Sequence, residues 1–127
     1  MIYKYTIPLP PVTKKNSQRI FVNRKTGMPF IAPSSAYKRY EEQAINFLTP
    51  KPKTPLAGRC RVVTVFYMKT RRKCDVSNCL EAAHDLLVKG RILADDNYTI
   101  IESVDGSRVK YDKDNPRTEI TIEELEE

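Results

Sequence analysis

Soft metal ligands, long apolar runs and, over the first half of the chain, acidic residues are all scarce in this sequence. Three cysteines (Cys60, Cys74, Cys79) and one histidine (His84) form no C-x-x-C pair, and an odd count argues against a disulfide framework. The thiols therefore read as reduced, with Cys79 on a buried helix position and Cys60 at a strand start. A zinc site is not expected, because sulfur and imidazole donors at usable spacing are missing. No apolar run approaches the ~18–20 residues a membrane span needs, and Met1-Ile2-Tyr3-Lys4-Tyr5 lacks the apolar block of a signal peptide. A soluble cytoplasmic protein with no membrane partner is expected.

Acid is missing from one half only. Residues 1–73 hold two Asp and Glu against sixteen Lys and Arg, while residues 74–127 hold fourteen against six. The formal net charge of +6 hides this polarity. Such a chain can present a cationic surface to phosphates around an acidic centre, or its charges can simply interleave on a soluble fold. With 40% hydrophobic and 30% charged residues the composition is that of a folded domain. At 127 residues it is one domain with one modest core.

The pattern predicts α+β architecture: a small mixed or antiparallel sheet with two main helices. Tyr3–Ile7 alternates as a strand and is ended by Pro8, Pro10 and Pro11. A polar cationic loop, 13–19, leads to a hairpin of 20–22 and 29–31 around a four- to five-residue turn at Arg24–Gly27. Ser34 or Ser35 caps a helix to about Leu48, with Tyr37, Tyr40, Ala44, Phe47 and Leu48 as its apolar stripe. A proline-rich connector, 49–55, precedes the β-branched run Cys60–Met68, a central strand. A second helix from Asp75 or Ser77 to Lys89 ends at Gly90. Strands follow at 99–103, 108–111 and 117–123, with Asp105-Gly106 either a bulge or a tight hairpin, and residues 124–127 form an acidic tail.

The chemistry concentrates at Arg71-Arg72-Lys73-Cys74-Asp75-Val76-Ser77-Asn78 and, about twenty residues on, Asp95-Asp96. Cations suit a polyanion, and clustered carboxylates suit a hard divalent metal. At 100° per residue, Val76, Cys79, Leu80, Ala83, Leu86 and Leu87 form the core face of the second helix, while Asn78, Glu81 and Asp85 share the opposite face. The order strand, basic loop, Asp75, helix, Asp95-Asp96, strand is expected to return the acidic pair to the sheet end near Asp75. The bland alternatives are a solvated helix face for Glu81, a dipole-favoured charge for Asp75 and a simple turn for Asp95-Asp96.

These residues resemble the RusA family of Holliday junction resolvases, small nucleases common in phages and prophages. The resemblance is carried by the stretch 71–78, by Ala82-Ala83-His84-Asp85-Leu86-Leu87, Gly90 and Asp95-Asp96, and by Ile7-Pro8-Leu9-Pro10-Pro11 with Lys14-Lys15-Asn16 and Tyr37-Lys38-Arg39-Tyr40. It covers nearly the whole chain, read as a single 1–127 nuclease domain. It implies an α+β homodimer that uses Mg²⁺, with Mn²⁺ as an alternative and no organic cofactor, to nick opposing strands of a four-way DNA junction. If the chain is phage-encoded, the compartment is the bacterial host's cytoplasm. Against the family pattern Asp-x-Asp-Asn-x-x-Lys with a distal Asp-Asp, Asp75, Asn78 and Asp96 match, and Asp95 stands beside Asp96. Ser77 replaces the second aspartate and Glu81 the lysine.

The expected function is a Mg²⁺-dependent, structure-specific endodeoxyribonuclease making paired symmetric nicks. Asp75 and Asp96 anchor the metal, Glu81 and Asp85 complete or tune the catalytic set, and Asp95 adds a ligand. Lys14, Lys15, Lys69, Arg71, Arg72, Lys73 and Asn78 hold DNA. The competing readings are a catalytically impaired junction- or RNA-binding protein, a flap or branched-DNA nuclease, and an interaction protein whose charges serve assembly. Tyr37, Tyr40 and Tyr98 are candidates for stacking on single strands or for packing.

Overall fold

A computed structural model of the chain describes residues 1–13, 18–33 and 35–126. Lys14 and Lys15 lie outside these residues. The main sheet is built around β4 (Cys60–Met68), whose Val-Val-Thr-Val-Phe-Tyr run favours the half-buried pleat. On one side β4 pairs antiparallel with β7 (Arg117–Glu124), and β7 pairs antiparallel with β1 (Ile2–Ile7). On the other side β4 pairs parallel with β5 (Ile101–Ser103) and, further along, with β6 (Arg108–Tyr111). The result is the expected α+β class, with a mixed five-stranded sheet and two helices. A separate two-stranded sheet is formed by β2 (Gln18–Val22) and β3 (Pro29–Pro33), the expected hairpin.

One face of the main sheet is dry. Cys60, Val62, Thr64 and Phe66 of β4, Thr118, Ile120 and Ile122 of β7, and Tyr5 and Ile7 of β1 are buried. Helices α1 (Ser35–Ile45) and α2 (Val76–Lys89) cover that face through Tyr40, Ala44, Leu86 and Leu87. Each such aliphatic side chain removed from water contributes roughly 1.5–3 kcal/mol. The alternate residues Arg61, Val63, Val65 and Tyr67 are only half-buried, as the two-residue strand period requires.

Several local expectations change. Helix α1 ends at Ile45, and the next three amides bond the carbonyls three residues back, which tightens the spacing and turns Phe47 outward to 38% exposure. Val76 is 50% exposed because it lies in the first turn of α2, while Ala82 joins the buried face instead. Gly90 ends α2 for a packing reason: a Cβ there would stand 2.6 Å from Leu48 Cδ1. The left-handed residue is Arg91, at φ 64°. Its amide bonds the Val88 carbonyl and the Ile92 amide bonds that of Leu87, a Schellman termination.

Asp105-Gly106 is the centre of a tight turn, closed by the Ser107 amide on the Val104 carbonyl at 3.0 Å, and it does not make a hairpin. Strands β5 and β6 run the same way along β4, which a hairpin would forbid. Gly106, at φ 95°, makes the turn. Ser107 fills the gap in the ladder by accepting the Thr64 amide at 3.0 Å. Residues 97–100 form a turn, so the strand begins at Ile101. The expected acidic tail is partly tied down: Glu124 lies in β7, and Arg59 holds the Leu125 amide and the Glu126 carbonyl.

Candidate active site

Because β1, β4 and β6 are parallel, their carboxyl ends lie at one end of the sheet, the end at which open α/β sheets bind ligands. The loop after β4 crosses this end carrying Lys69, Arg71, Arg72 and Lys73, all exposed. On one side it borders a groove of about 230 Å³ shared with Pro10–Thr13 at the end of β1. On the other it borders a shallower one of about 320 Å³ shared with Lys110 and Tyr111 of β6. Arg71 stacks 4.1 Å above the Tyr111 ring, which fixes one cation of the ridge.

Asp75 joins this loop to α2. Its backbone is extended (φ −79°, ψ 133°), and its carbonyl accepts the amides of Asn78 and Cys79 at 3.1 and 3.2 Å. An aspartate here ordinarily caps the helix with its side chain, yet Asp75 makes no side-chain cap bond. Its exposed carboxylate instead accepts a long, 3.4 Å bond from the Asn78 side-chain Nδ2. Two of the residues matched to the family pattern are thus together. Ser77 and Glu81 follow on α2, four residues apart and exposed, so they share a face.

Asp85 points elsewhere. Tyr37 of α1 is buried, and its hydroxyl pKa is raised first by that burial, then by Glu41 and Asp85. Asp85 thus stands at the α1–α2 seam, near the Lys89–Glu41 ion pair at 2.8 Å. Asp95 organises its own turn by accepting the Asp96 amide at 2.7 Å and the Asn97 side chain at 3.0 Å. These bonds, the Asp96 amide first, hold its carboxyl below the usual range. Asp96, beside it, is exposed.

The expected return of Asp95-Asp96 to the neighbourhood of Asp75 is not met within one chain. Strand β5 begins opposite Cys60, the first residue of β4, whereas Asp75 follows the last. Parallel pairing forces α2 to run back along the sheet, and its 14 residues span about 21 Å. Asp96 instead stands close enough to act on His84, in the third turn of α2. The His84 pKa is lowered by burial, against opposing pulls from Asp96 and Asp85. Its Nε2 is buried without a hydrogen-bond partner among the described residues. Sequence reasoning set His84 aside as a lone imidazole, and it also passed over Tyr111 beneath Arg71. Both depend on chain crossings that spacing does not reveal.

The donor chemistry fits a hard cation, since Asp75, Glu81 and Asp96 offer exposed carboxylate oxygens. Among the described residues no three His, Cys, Asp or Glu stand where they could hold a metal by themselves. A cation here would draw much of its shell from phosphate and water, as Mg²⁺ commonly does. The described residues contain no helix long and apolar enough to cross a membrane.

No curated protein matches the chain. The family model described as Endodeoxyribonuclease RusA matches residues 8–123 and so takes in β4, β5 and β6, the basic loop, Asp75, α2 and Asp95-Asp96. A match over nearly the entire length settles the affiliation: the chain belongs to the RusA family of endodeoxyribonucleases, metal-dependent enzymes that act on Holliday junctions.

Proposed function

We propose that this enzyme resolves four-way DNA junctions with Mg²⁺, as a homodimer that nicks two opposing strands. The observation that carries the reading is Asp75, an exposed carboxylate released from helix capping, set directly behind four exposed cations at the carboxyl ends of parallel strands. Lys69, Arg71, Arg72 and Lys73, together with Lys14 and Lys15, hold backbone phosphates, which positions the duplex arms without reading their sequence. Asp75 and Asp96 supply the principal oxygen donors, Asn78 orients Asp75, and Glu81 restores the carboxylate lost at Ser77. Lys73 stabilises charge on the phosphate in place of the lysine that Glu81 displaces. Asp85 supports the set from the interhelical side, and Asp95 holds Asp96 in place. The cation, when bound, lowers the pKa of water and offsets charge on the reacting phosphate.

The separation of the two aspartates along α2, Asp75 at its start and Asp96 beside His84 in its third turn, supports a site shared between protomers. A two-fold axis across α2 sets the helices antiparallel, so Asp75 of one subunit meets Asp96 of the partner subunit, twice. The junction has matching two-fold symmetry.

The test is cleavage of a synthetic four-way junction beside plain duplex, with and without Mg²⁺. Asp75→Asn and Asp96→Asn should each abolish nicking while leaving junction binding intact or tighter; full nicking by both removes the metal-site assignment. Mixing the two variants reads the sharing. A composite site regains one working centre per mixed dimer and nicks one strand, whereas a site within one chain regains none. Junction binding by the wild type with no cleavage would favour the impaired-binder reading raised by Ser77 and Glu81.

A further inference from the structure

The β2–β3 hairpin has no part in the site described above, and its surface is unusual. It forms its own two-stranded sheet, and three aliphatic side chains on it face solvent: Ile20 at 75%, Val22 at 62% and Met28 at 64% exposure. Ile20 and Val22, two residues apart on one strand, share a face of the ribbon. The tip is well formed. The Asn23 side chain accepts the Lys25 amide at 2.9 Å, and Gly27, at φ 72°, lets the chain return so that the Asn23 amide meets the Met28 carbonyl at 2.9 Å. Arg24 and Lys25 stand exposed there.

Charge selects the occupant of this face. Residues 14–25 carry Lys14, Lys15, Arg19, Arg24 and Lys25, and no acidic residue precedes Glu41. A second copy of the same hairpin would oppose cation to cation, so self-association is disfavoured. A polyanion with an apolar interior fits both properties, and nucleic acid is that partner. Position agrees. Thr13 borders the groove beside the basic loop, and β2 begins five residues later, so its first residue lies within about 18 Å of that groove.

We propose that the hairpin is a wedge: Arg24 and Lys25 grip phosphates while Ile20, Val22 and Met28 enter the branch point and separate a base step. Apolar side chains of this kind unstack base steps in other DNA complexes. At a four-way branch the terminal base pairs are already the least supported, which lowers the cost. The wedge would favour branched over plain duplex DNA without reading sequence. The proposal rests on branched DNA being the substrate.

A junction carrying 2-aminopurine at the branch point, with a second probe well down one arm, tests this in EDTA, where nothing is cut. Wild type should raise branch-point fluorescence and leave the arm probe unchanged. The Ile20→Ser/Val22→Ser pair, and separately Met28→Ser, should lose that rise at saturating protein while keeping the wild-type melting temperature and affinity. Arg24→Gln/Lys25→Gln should keep the rise at saturation and lower the slope of log affinity against log salt by about two, one for each lost phosphate contact. No rise with wild type, or an undiminished rise with the serine variants, overturns the wedge. So does a fall in sedimentation mass on serine substitution, which would make the face a contact between copies. Adding Mg²⁺ to the same samples reads the nuclease assignment separately, because cleavage without a wedge and a wedge without cleavage are different results.

Discussion

At the scale of single residues, the substitutions in the motif are the sharpest questions. Ser77 and Glu81 lie one helical turn apart on an exposed face. If Glu81 replaces the lost carboxylate, Glu81→Gln should slow junction nicking by roughly 10–100-fold, the usual cost of losing a supporting group at a metal site. Adding Ser77→Asp to that variant should recover much of the rate. Unchanged nicking by Glu81→Gln would assign Glu81 to the solvated surface. Away from the site, Arg59 binds Glu102 through two bonds of 2.8 and 3.0 Å, which hold the Glu102 carboxyl below its ordinary value of 4.5. A depressed folded-state pKa gives stability that is present above the unfolded value and is lost as pH falls through the folded one. In carboxyl NMR the Glu102 resonance should therefore titrate below 4.5 and return to it in Arg59→Ala. A midpoint unmoved by that substitution would place the cause elsewhere.

At the scale of elements, what ends or interrupts a strand or helix decides where chemistry stands. The expected end of α2 at Gly90 was readable because glycine commonly closes helices, but the reason is tertiary. The left-handed position is filled by Arg91, and glycine is required because Leu48, from the turn after α1, fills the space of a side chain. Gly90→Ala should cost about 1–3 kcal/mol, the penalty of overpacking a core, seen as a lower midpoint in urea. An unchanged midpoint would show that Leu48 moves aside freely. The turn at Asp105-Gly106 teaches the same lesson. Its glycine was visible in sequence, yet only the direction of β6 along β4 rules out a hairpin.

At the scale of the whole molecule, charge and topology act together. The parallel strands gather the ends of β1, β4 and β6, and the loop at this end carries four exposed cations. Replacing Lys69, Arg71, Arg72 and Lys73 by glutamine should weaken binding to junctions of every sequence and lower the salt slope by about four. A slope left intact would move the DNA to another surface. The sequence by itself determined the α+β class, the central strand and both helices, because hydrophobic period and side-chain type are local properties. Asp75 and Asn78 meet because they fall within one turn of one helix. Sequence reasoning misplaced Asp96 relative to Asp75 and assigned Asp85 to an open face. Those relations depend on β5 running parallel to β4 and on α1 packing against α2, and both were decided only when distant segments met to bury a common core.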